Sequence, residues 1–177
     1  MPSKLPMFEA AAPAAASILG AGQLPGEGSV PHHFATSERE GEALDKTTPV
    51  RRLVEGFRTL DLDLVMAQLA EGAVFENIPM DLIVGKPAIR ESLGAFMAIV
   101  ARAPWVLRNI AVSDSGTVMT ERDDQFELKD GRRVHTLVMG AFDVNAEGLI
   151  THWRDYFDLS DWNRGMGLEP DFGRRAR

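Results

Sequence analysis

The second half of the chain contains four strand-like runs, and no other feature constrains the fold as strongly. They span residues 105–113, 117–128, 133–144 and 149–158. The connections between them contain the pairs Ser115-Gly116, Asp130-Gly131 and Glu147-Gly148. Glycine in such a pair is typical of tight hairpin turns, because it adopts positive φ angles without steric strain. The pattern therefore predicts an antiparallel meander.

The residues ahead of this meander have helical spacing. Thr48 and Pro49 are typical of an N-cap and a first-turn proline. Apolar residues then recur on one face of a predicted helix, at Val50, Leu53, Val54 and Phe57. A shorter predicted helix follows Asp61, a typical N-cap residue, and ends near Gly72. Together the two segments predict a helical hairpin.

One strand and one longer helix complete the pattern. Residues 73–78 predict a strand that Pro79 ends, and residues 86–103 predict a helix. The apolar face of that helix carries Ile89, Leu93, Phe96, Met97 and Val100. Helices followed by strands indicate an α+β domain, in which the helices cover one face of a curved, antiparallel-rich mixed sheet. The concave face of such a sheet forms a pocket.

The expected domain limits follow from a change in composition near Thr47. Residues 1–46 are rich in Ala, Gly, Pro and Ser and lack periodicity, so they predict a flexible N-terminal extension. We expect one folded domain over residues 47–166 and a C-terminal tail over residues 167–177. Glu9 and Pro13 interrupt the Ala-rich stretch that otherwise resembles a signal peptide. We therefore expect a cytoplasmic protein.

The charge and the residue types exclude several classes of partner. A net charge of −7 disfavours nucleic acid and anionic membranes, because both require a basic surface. No apolar run reaches the roughly eighteen residues of a spanning helix. The chain has no cysteine, and its four histidines lack a zinc-binding spacing, so we expect no metal and no cofactor. A small neutral or weakly polar ligand fits best.

One predicted strand mixes charged and aromatic side chains on a single face. In TERDDQFEL, residues 120–128, strand alternation places Arg122, Asp124 and Phe126 together. If this face pointed to water, Phe126 would be exposed. If it points inward, Arg122 and Asp124 are buried together and must satisfy one another. An isolated Arg-x-Asp pattern is more often a local ion pair than a site.

Two further strands repeat this mixture. Trp153, Asp155 and Phe157 share one face of the last strand, and Phe75 and Asn77 share one face of the strand at residues 73–78. Burying two carboxylates and an arginine seldom stabilises a fold relative to apolar packing. The pattern alone leaves two interpretations open, a functional site and an ordinary buried polar cluster.

The segments VFENIPM, TERDDQFEL and THWRDYFDL, at their relative spacing, resemble the limonene-1,2-epoxide hydrolase family. The resemblance covers about residues 48–166. It implies the cone-shaped α+β barrel of nuclear transport factor and SnoaL-like proteins, with a deep apolar pocket. It also implies a homodimer through the outer face of the sheet. Because this fold hosts many functions, activity depends on the site residues rather than on the fold.

The resemblance implies an Asp-Arg-Asp triad that adds water to an epoxide in one step. In this role Asp155 is the general base for the water, and Asp124 is the protonated general acid for the epoxide oxygen. Arg122 hydrogen bonds to both carboxylates. Asn77 matches the family's asparagine that helps to hold the water. Phe75 stands where the family pattern has a tyrosine, whose hydroxyl also binds the water.

The other candidate site residues are apolar and are expected to line the pocket. They are Phe75, Val54, Phe57, Phe96, Val100, Phe126, Val138, Phe157 and Trp162. For any single one, membership of the ordinary core is an equally good interpretation. Together they favour a small hydrophobic epoxide as the substrate, with water as the second reactant. His135 and His152 are expected to face away from the pocket and to have no catalytic role.

Three functions are compatible with these residues. The first is a cofactor-free epoxide hydrolase that forms a vicinal diol. The second is an epoxide-opening cyclase or a ketosteroid-isomerase-like enzyme, acting on a substrate with its own nucleophile or acidic C–H bond. The third is a non-catalytic ligand-binding or dimerisation module. Phe75 keeps the second open, whereas the two aspartates and the arginine speak against the third.

Overall fold

The structure is a computed structural model that describes residues 44–168. The predicted extension, residues 1–46, and the predicted tail, residues 167–177, lie almost entirely outside the described residues, and both stay predictions. Among the helices of the described range, none combines the length and the apolar content that crossing a membrane requires.

The described residues form a seven-stranded sheet and the helices that pack on it. The helices are α1 (Thr47–Thr59), α2 (Leu62–Met66), α3 (Lys86–Met97) and α4 (Leu159–Gly165). The strands are β1 (Leu69–Ile78), β2 (Ile83–Val84), β3 (Val100–Arg102), β4 (Val106–Val112), β5 (Val118–Leu128), β6 (Arg133–Val144) and β7 (Ile150–Phe157). The predicted α+β class is confirmed.

The sheet is curved, unclosed and mostly antiparallel. Its strand order is β2-β1-β7-β6-β5, and both β3 and β4 pair with β5. Strands β4 to β7 form the predicted antiparallel meander. Gly116, Gly131 and Gly148 have φ angles of 84°, 90° and 76°, which fits the predicted turns. Within the described sheet, β1 pairs with β7 in parallel, so the first long strand lies beside the last.

The start of α1 differs from the prediction. The helix begins at Thr47, and the Asp45 carboxylate accepts hydrogen bonds from Thr47 N at 2.9 Å and from Thr48 Oγ1 at 3.0 Å. Thr48 is therefore inside the helix and is not its N-cap, because Asp45 satisfies the groups at the helix start. The predicted apolar face is buried as expected: Val50, Leu53, Val54 and Phe57.

The boundary between α2 and β1 also differs from the prediction. Asp61 caps α2 as expected, since its carboxylate accepts a backbone hydrogen bond at 2.9 Å. However, α2 ends at Met66 rather than near Gly72, and β1 begins at Leu69 rather than at residue 73. Gly72 lies inside β1, where the pairing with β7 shifts register. This glycine therefore marks a strand irregularity and not a helix end.

The helix predicted over residues 86–103 ends earlier, at Met97. The chain then forms β3, in which Val100 lies opposite Leu128 of β5. Lys129 N donates to Ile99 O at 2.9 Å and holds the two segments together. A helix and a strand would both bury Val100, so the spacing of apolar residues does not distinguish the two structures here.

The short helix α4 has no counterpart among the predicted elements. It follows β7 directly, and the Asp158 carboxylate caps it by accepting hydrogen bonds from Ser160 N at 2.8 Å and Asp161 N at 3.1 Å. The far end of α4 lies against β6, where a Cβ atom placed on Gly165 would be only 3.0 Å from Val134 Cα. This position brings Trp162 of α4 into the wall of the cavity on the concave face of the sheet.

Candidate active site

Three strands bring the polar candidate side chains to the concave face of the sheet. β5 supplies Arg122 and Asp124, β7 supplies Asp155, and β1 supplies Asn77. The parallel pairing of β1 with β7 places Asn77 directly opposite Asp155. Because β6 lies between β5 and β7, the Arg122 side chain crosses a strand to reach Asp155.

Arg122 donates hydrogen bonds to both carboxylates. Its Nη2 lies 2.6 Å from Asp155 Oδ2 and 3.1 Å from Asp124 Oδ2. Its Nε donates to Asp124 Oδ1 at 3.2 Å, so the contact with Asp124 is bidentate. Thr120 Oγ1 accepts from the remaining nitrogen, Nη1, at 3.3 Å. The three charged side chains and one hydroxyl thus form a single network.

This network is removed from solvent. Arg122 is fully buried, and Asp124 and Asp155 are 3% and 5% exposed. The guanidinium carbon lies 5.0 Å from the ring centroid of Trp105 and 5.8 Å from that of Phe142, and aromatic rings stabilise a buried cation. One arginine cannot neutralise two ionised carboxylates, so a single proton on one carboxyl makes the network neutral.

The environment favours Asp124 as the carboxyl that holds this proton. Burial raises the pKa of Asp124 to about 6, although Arg122 acts in the opposite direction. The charges of Asp155 and Asp123 add to the increase. Burial lowers the pKa of Arg122, but Asp124 and Asp155 outweigh it and hold that pKa above its ordinary value. Arg122 therefore stays charged while Asp124 is protonated more readily than an exposed aspartate.

Asp155 keeps one carboxylate oxygen free of side-chain partners. Its Oδ2 accepts from Arg122, whereas its Oδ1 has no hydrogen-bond partner among residues 44–168. Asn77 lies opposite in the neighbouring strand, and both side chains line the same cavity. This oxygen can accept a proton from a molecule held between Asp155 and Asn77.

The cavity beside the network has mostly aromatic walls. Its empty space, including the opening to solvent, is about 430 Å³. The lining residues are Phe57, Phe75, Asn77, Leu93, Phe96, Trp105, Asp124, Phe126, Thr136, Val138, Trp153, Asp155, Phe157 and Trp162. Packing among the rings is close, as in the edge-to-face pair of Phe96 and Phe126 at 4.9 Å between centroids. Such walls suit a hydrophobic ligand.

Most of the predicted pocket residues lie in this lining. They are Phe57, Phe75, Phe96, Phe126, Val138, Phe157 and Trp162. Val54 and Val100 are buried in the core but are not part of the lining. Helical spacing identifies the buried face of α1, yet it does not show which part of that face the core covers. Val100 differs further because it lies in β3 and not on a helix.

Four lining residues are absent from the predicted site: Leu93, Trp105, Thr136 and Trp153. Strand alternation contains a signal for two of them, because Trp153 shares a face with Asp155 and Thr136 shares one with Val138. Trp105 gives no such signal. It precedes β4, whose pairing with β5 shifts register, so the side-chain direction cannot be inferred from the sequence.

The histidines of the sheet lie outside the cavity lining. His135 Nε2 is 2.7 Å from Asp123 Oδ1, and 62% of the His135 side chain is exposed. His152 Nε2 is 3.7 Å from Glu76 Oε2. Over residues 44–168, no group of three or more His, Asp or Glu side chains is arranged to hold a metal ion.

Comparison with known proteins places the chain in a family. The profile of the limonene-1,2-epoxide hydrolase catalytic domain matches residues 44–166. The chain belongs to the limonene-1,2-epoxide hydrolase family. A curated relative, Epoxide hydrolase EphG of Mycobacterium tuberculosis, is 32% identical over 118 residues, which are 66% of this chain and 76% of the relative.

One solved structure agrees with membership of the limonene-1,2-epoxide hydrolase family, and others share the fold. An M. tuberculosis LEH-like epoxide hydrolase superposes with a TM-score of 0.60 and 31% identity, over 68% of this chain and 87% of its own. A putative isomerase from Bacillus subtilis superposes with a TM-score of 0.64 and 19% identity, over 70% of this chain and 94% of its own. The epoxide hydrolase/cyclase-like enzyme SalBIII, linked to pyran ring formation in salinomycin, superposes with a TM-score of 0.59 and 18% identity. The match covers 66% of this chain and 92% of the SalBIII chain. The last two show a shared fold alone.

Proposed function

We propose that the protein is a cofactor-free epoxide hydrolase that adds water to a small hydrophobic epoxide and forms a vicinal diol in one step. The observation that carries this proposal is the Arg122 bridge between Asp124 and Asp155 beside an apolar cavity. Membership of the limonene-1,2-epoxide hydrolase family supports the same class of reaction.

In the proposed reaction the two carboxyls act on opposite sides of the epoxide. Asp155 Oδ1 takes a proton from water while the water oxygen bonds to an epoxide carbon. The bond between that carbon and the epoxide oxygen breaks, and Asp124 gives its proton to that oxygen. Protonation is needed because an alkoxide is too basic to leave unassisted. The cycle closes when a proton moves from Asp155 to Asp124.

Arg122 is proposed to keep the electrostatic energy of the site nearly constant during this proton exchange. Before the reaction the proton is on Asp124, and afterwards a proton is on Asp155. Arg122 bonds to both carboxyls in either state, and the net charge of the network does not change. No new uncompensated charge is therefore created in the buried site, where such a charge would be strongly unfavourable.

The water is proposed to bind between Asp155 and Asn77. Phe75 offers it no hydrogen bond, because a phenyl ring has no polar donor or acceptor. This ring packs against Trp153 with 4.2 Å between centroids. Two side chains therefore hold the water, where the family pattern implies three. We expect binding of the water to limit turnover.

A test of the proposal supplies terpene, styrene and cycloalkene epoxides in oxygen-18 water and detects diols by mass spectrometry. The expected product is a diol with one labelled oxygen. Folded protein that produces no labelled diol from any member of the panel contradicts the proposed hydrolysis.

An epoxide-opening cyclase is the second candidate, and Phe75 is the observation that favours it. A weakly held water competes poorly with a hydroxyl group on the substrate itself. The same experiment distinguishes the two candidates when it includes hydroxylated epoxides. A cyclase converts these to cyclic ethers of unchanged mass without oxygen-18, whereas a hydrolase adds labelled water.

We also propose that the protein is a homodimer formed through the convex face of the sheet. Exposed apolar side chains on β4 to β7 support this: Val106, Met119, Leu137, Met139 and Tyr156. Met139 lies opposite Tyr156 and Met119 lies opposite Ala141, so the apolar surface spans neighbouring strands. The expected cytoplasmic location stays a prediction from the sequence.

A further inference from the structure

Gly140 of β6 lies at the point where the Arg122 side chain crosses the sheet. It pairs with Thr120 of β5 on one side and with Asp155 of β7 on the other. Both of these residues bond to the Arg122 guanidinium. The guanidinium therefore passes over the backbone of β6 at the position that has no side chain.

A methyl group at this position would overlap with the network. A Cβ atom placed on Gly140 lies 2.5 Å from Arg122 Nη1, 2.6 Å from Thr120 Oγ1 and 2.8 Å from Phe142 Cε2. Ordinary contacts between such atoms are roughly 3.5–4.0 Å. The neighbours cannot move aside easily, because Arg122 is fully buried and lies near the rings of Trp105 and Phe142.

We propose that Gly140 is a positioning residue for the reaction, because the space left by its missing side chain lets Arg122 reach Asp155 across β6. A glycine inside a strand weakens the strand, and such glycines often mark a place where another group approaches closely. Here that group is the guanidinium. The catalytic consequence rests on the proposed hydrolase function, whereas the positioning itself does not.

The direct test is Gly140→Ala. The methyl group displaces Nη1 and lengthens the bond from Arg122 to Asp155. We expect kcat/KM for a hydrolysed epoxide to fall by roughly 100-fold, as misplacement of a site by about an ångström can do. The matched control is Gly72→Ala, since Gly72 is also a strand glycine and a Cβ built there meets no atom within 4 Å. We expect Gly72→Ala to retain the wild-type kcat/KM.

The pKa of Asp124 provides a second measurement. A general loss of stability would not raise this pKa, whereas displacement of the Arg122 guanidinium would. Burial raises the pKa of Asp124 and Arg122 lowers it, and with both effects acting the pKa is about 6. If Gly140→Ala displaces the guanidinium, the Asp124 carboxyl, followed by carbon-13 NMR, titrates at higher pH than in the wild type. An unchanged titration in folded Gly140→Ala overturns the proposal. This measurement needs no substrate, so it remains decisive even if no epoxide is hydrolysed.

If Gly140→Ala folds poorly, a double-mutant cycle that measures the unfolding midpoint tests the same contact. Arg122→Lys keeps the positive charge but removes Nη1, the atom nearest to the added methyl. We expect Gly140→Ala to lower the unfolding midpoint much less in the Arg122→Lys background than in the wild type. An equal loss in both backgrounds assigns the clash to Thr120 or Phe142 and overturns the proposal.

Discussion

Asp124 and Asp155 bond to the same guanidinium, but they differ in which oxygen atoms remain available. Both oxygens of Asp124 accept hydrogen bonds from Arg122, whereas Asp155 has one oxygen without a partner in the described part of the chain. A base needs a free oxygen, and an acid needs a pKa that keeps its proton near neutral pH. The geometry of Asp155 and the raised pKa of Asp124 therefore fit the division of roles that we propose.

The first prediction concerns these carboxyls one at a time. Asp155→Asn removes the proposed base and Asp124→Asn the proposed acid, so each variant should lower kcat by roughly 10²–10⁴-fold. Asp143→Asn is the matched control, because Asp143 accepts a hydrogen bond from Arg154 outside the cavity lining. Single-turnover assays with a hydrolysed epoxide measure the effect. Near-normal kcat in either site variant is incompatible with the assigned roles.

The second prediction is the pH dependence of kcat/KM. In the free protein, burial raises the pKa of Asp124 to about 6. The proton that the proposed acid must donate is therefore mostly on Asp124 at pH values below about 6. The protonated fraction falls as pH rises through this value, so kcat/KM should decrease above about pH 6, approaching tenfold per unit. Initial rates between pH 4.5 and 9 measure this limb, and a flat profile from pH 6 to 9 argues against Asp124 as the acid.

The third prediction concerns the water. Phe75→Tyr adds a hydroxyl group on the face of β1 that also carries Asn77. Because this hydroxyl can form one more hydrogen bond to the water, we expect kcat to rise by roughly 2- to 10-fold. KM for the epoxide should change less than kcat. If kcat does not increase in a folded variant, another group already fills this role. Trp153 packs against the ring, so tryptophan fluorescence compared with that of the wild type reports whether the aromatic packing is preserved.

At the scale of elements, the short helix α4 depends on its Asp158 cap and places Trp162 in the cavity wall. Asp158→Ala removes two backbone hydrogen bonds at the helix start, which should lower the free energy of unfolding by about 0.5–2 kcal/mol. We expect KM for the epoxide to rise as well, because α4 holds Trp162 in the wall. Asp61→Ala provides a control, since Asp61 caps α2, which contributes no lining residue. An equal change of KM in both variants excludes a specific role for α4.

The elements also show how far sequence reasoning reaches. Alternation with a period of two correctly places Arg122 with Asp124 on one face of β5, and Asp155 with Trp153 on one face of β7, because strands permit only two side-chain directions. It does not reveal the crossing at Gly140, since that depends on the register of three strands at once. Nor does it place Trp105, which lies beside a register shift. Spacing within one element is local information, whereas the unpredicted features arise from contacts between elements.

At the scale of the whole molecule, the convex face of the sheet is where we expect a second copy to bind. Met139→Glu places a charge at the centre of the exposed apolar surface and should convert dimers to monomers. Val84→Glu is the matched control, because Val84 is similarly exposed but lies on the edge strand β2. Light scattering after size exclusion measures the mass, and a monomeric wild type at micromolar concentration contradicts the proposed dimer.

The parallel pairing of β1 with β7 joins the start of the domain to its end. During synthesis, Asn77 leaves the ribosome well before Asp155, and Arg122 has no second carboxylate until β7 follows. A nascent chain that stops short of β7 therefore contains the proposed acid and its arginine but neither the base nor the strand that aligns Asn77. The proposed active site is completed only by one of the last segments of the domain to be made, so we expect incomplete chains to lack the proposed activity.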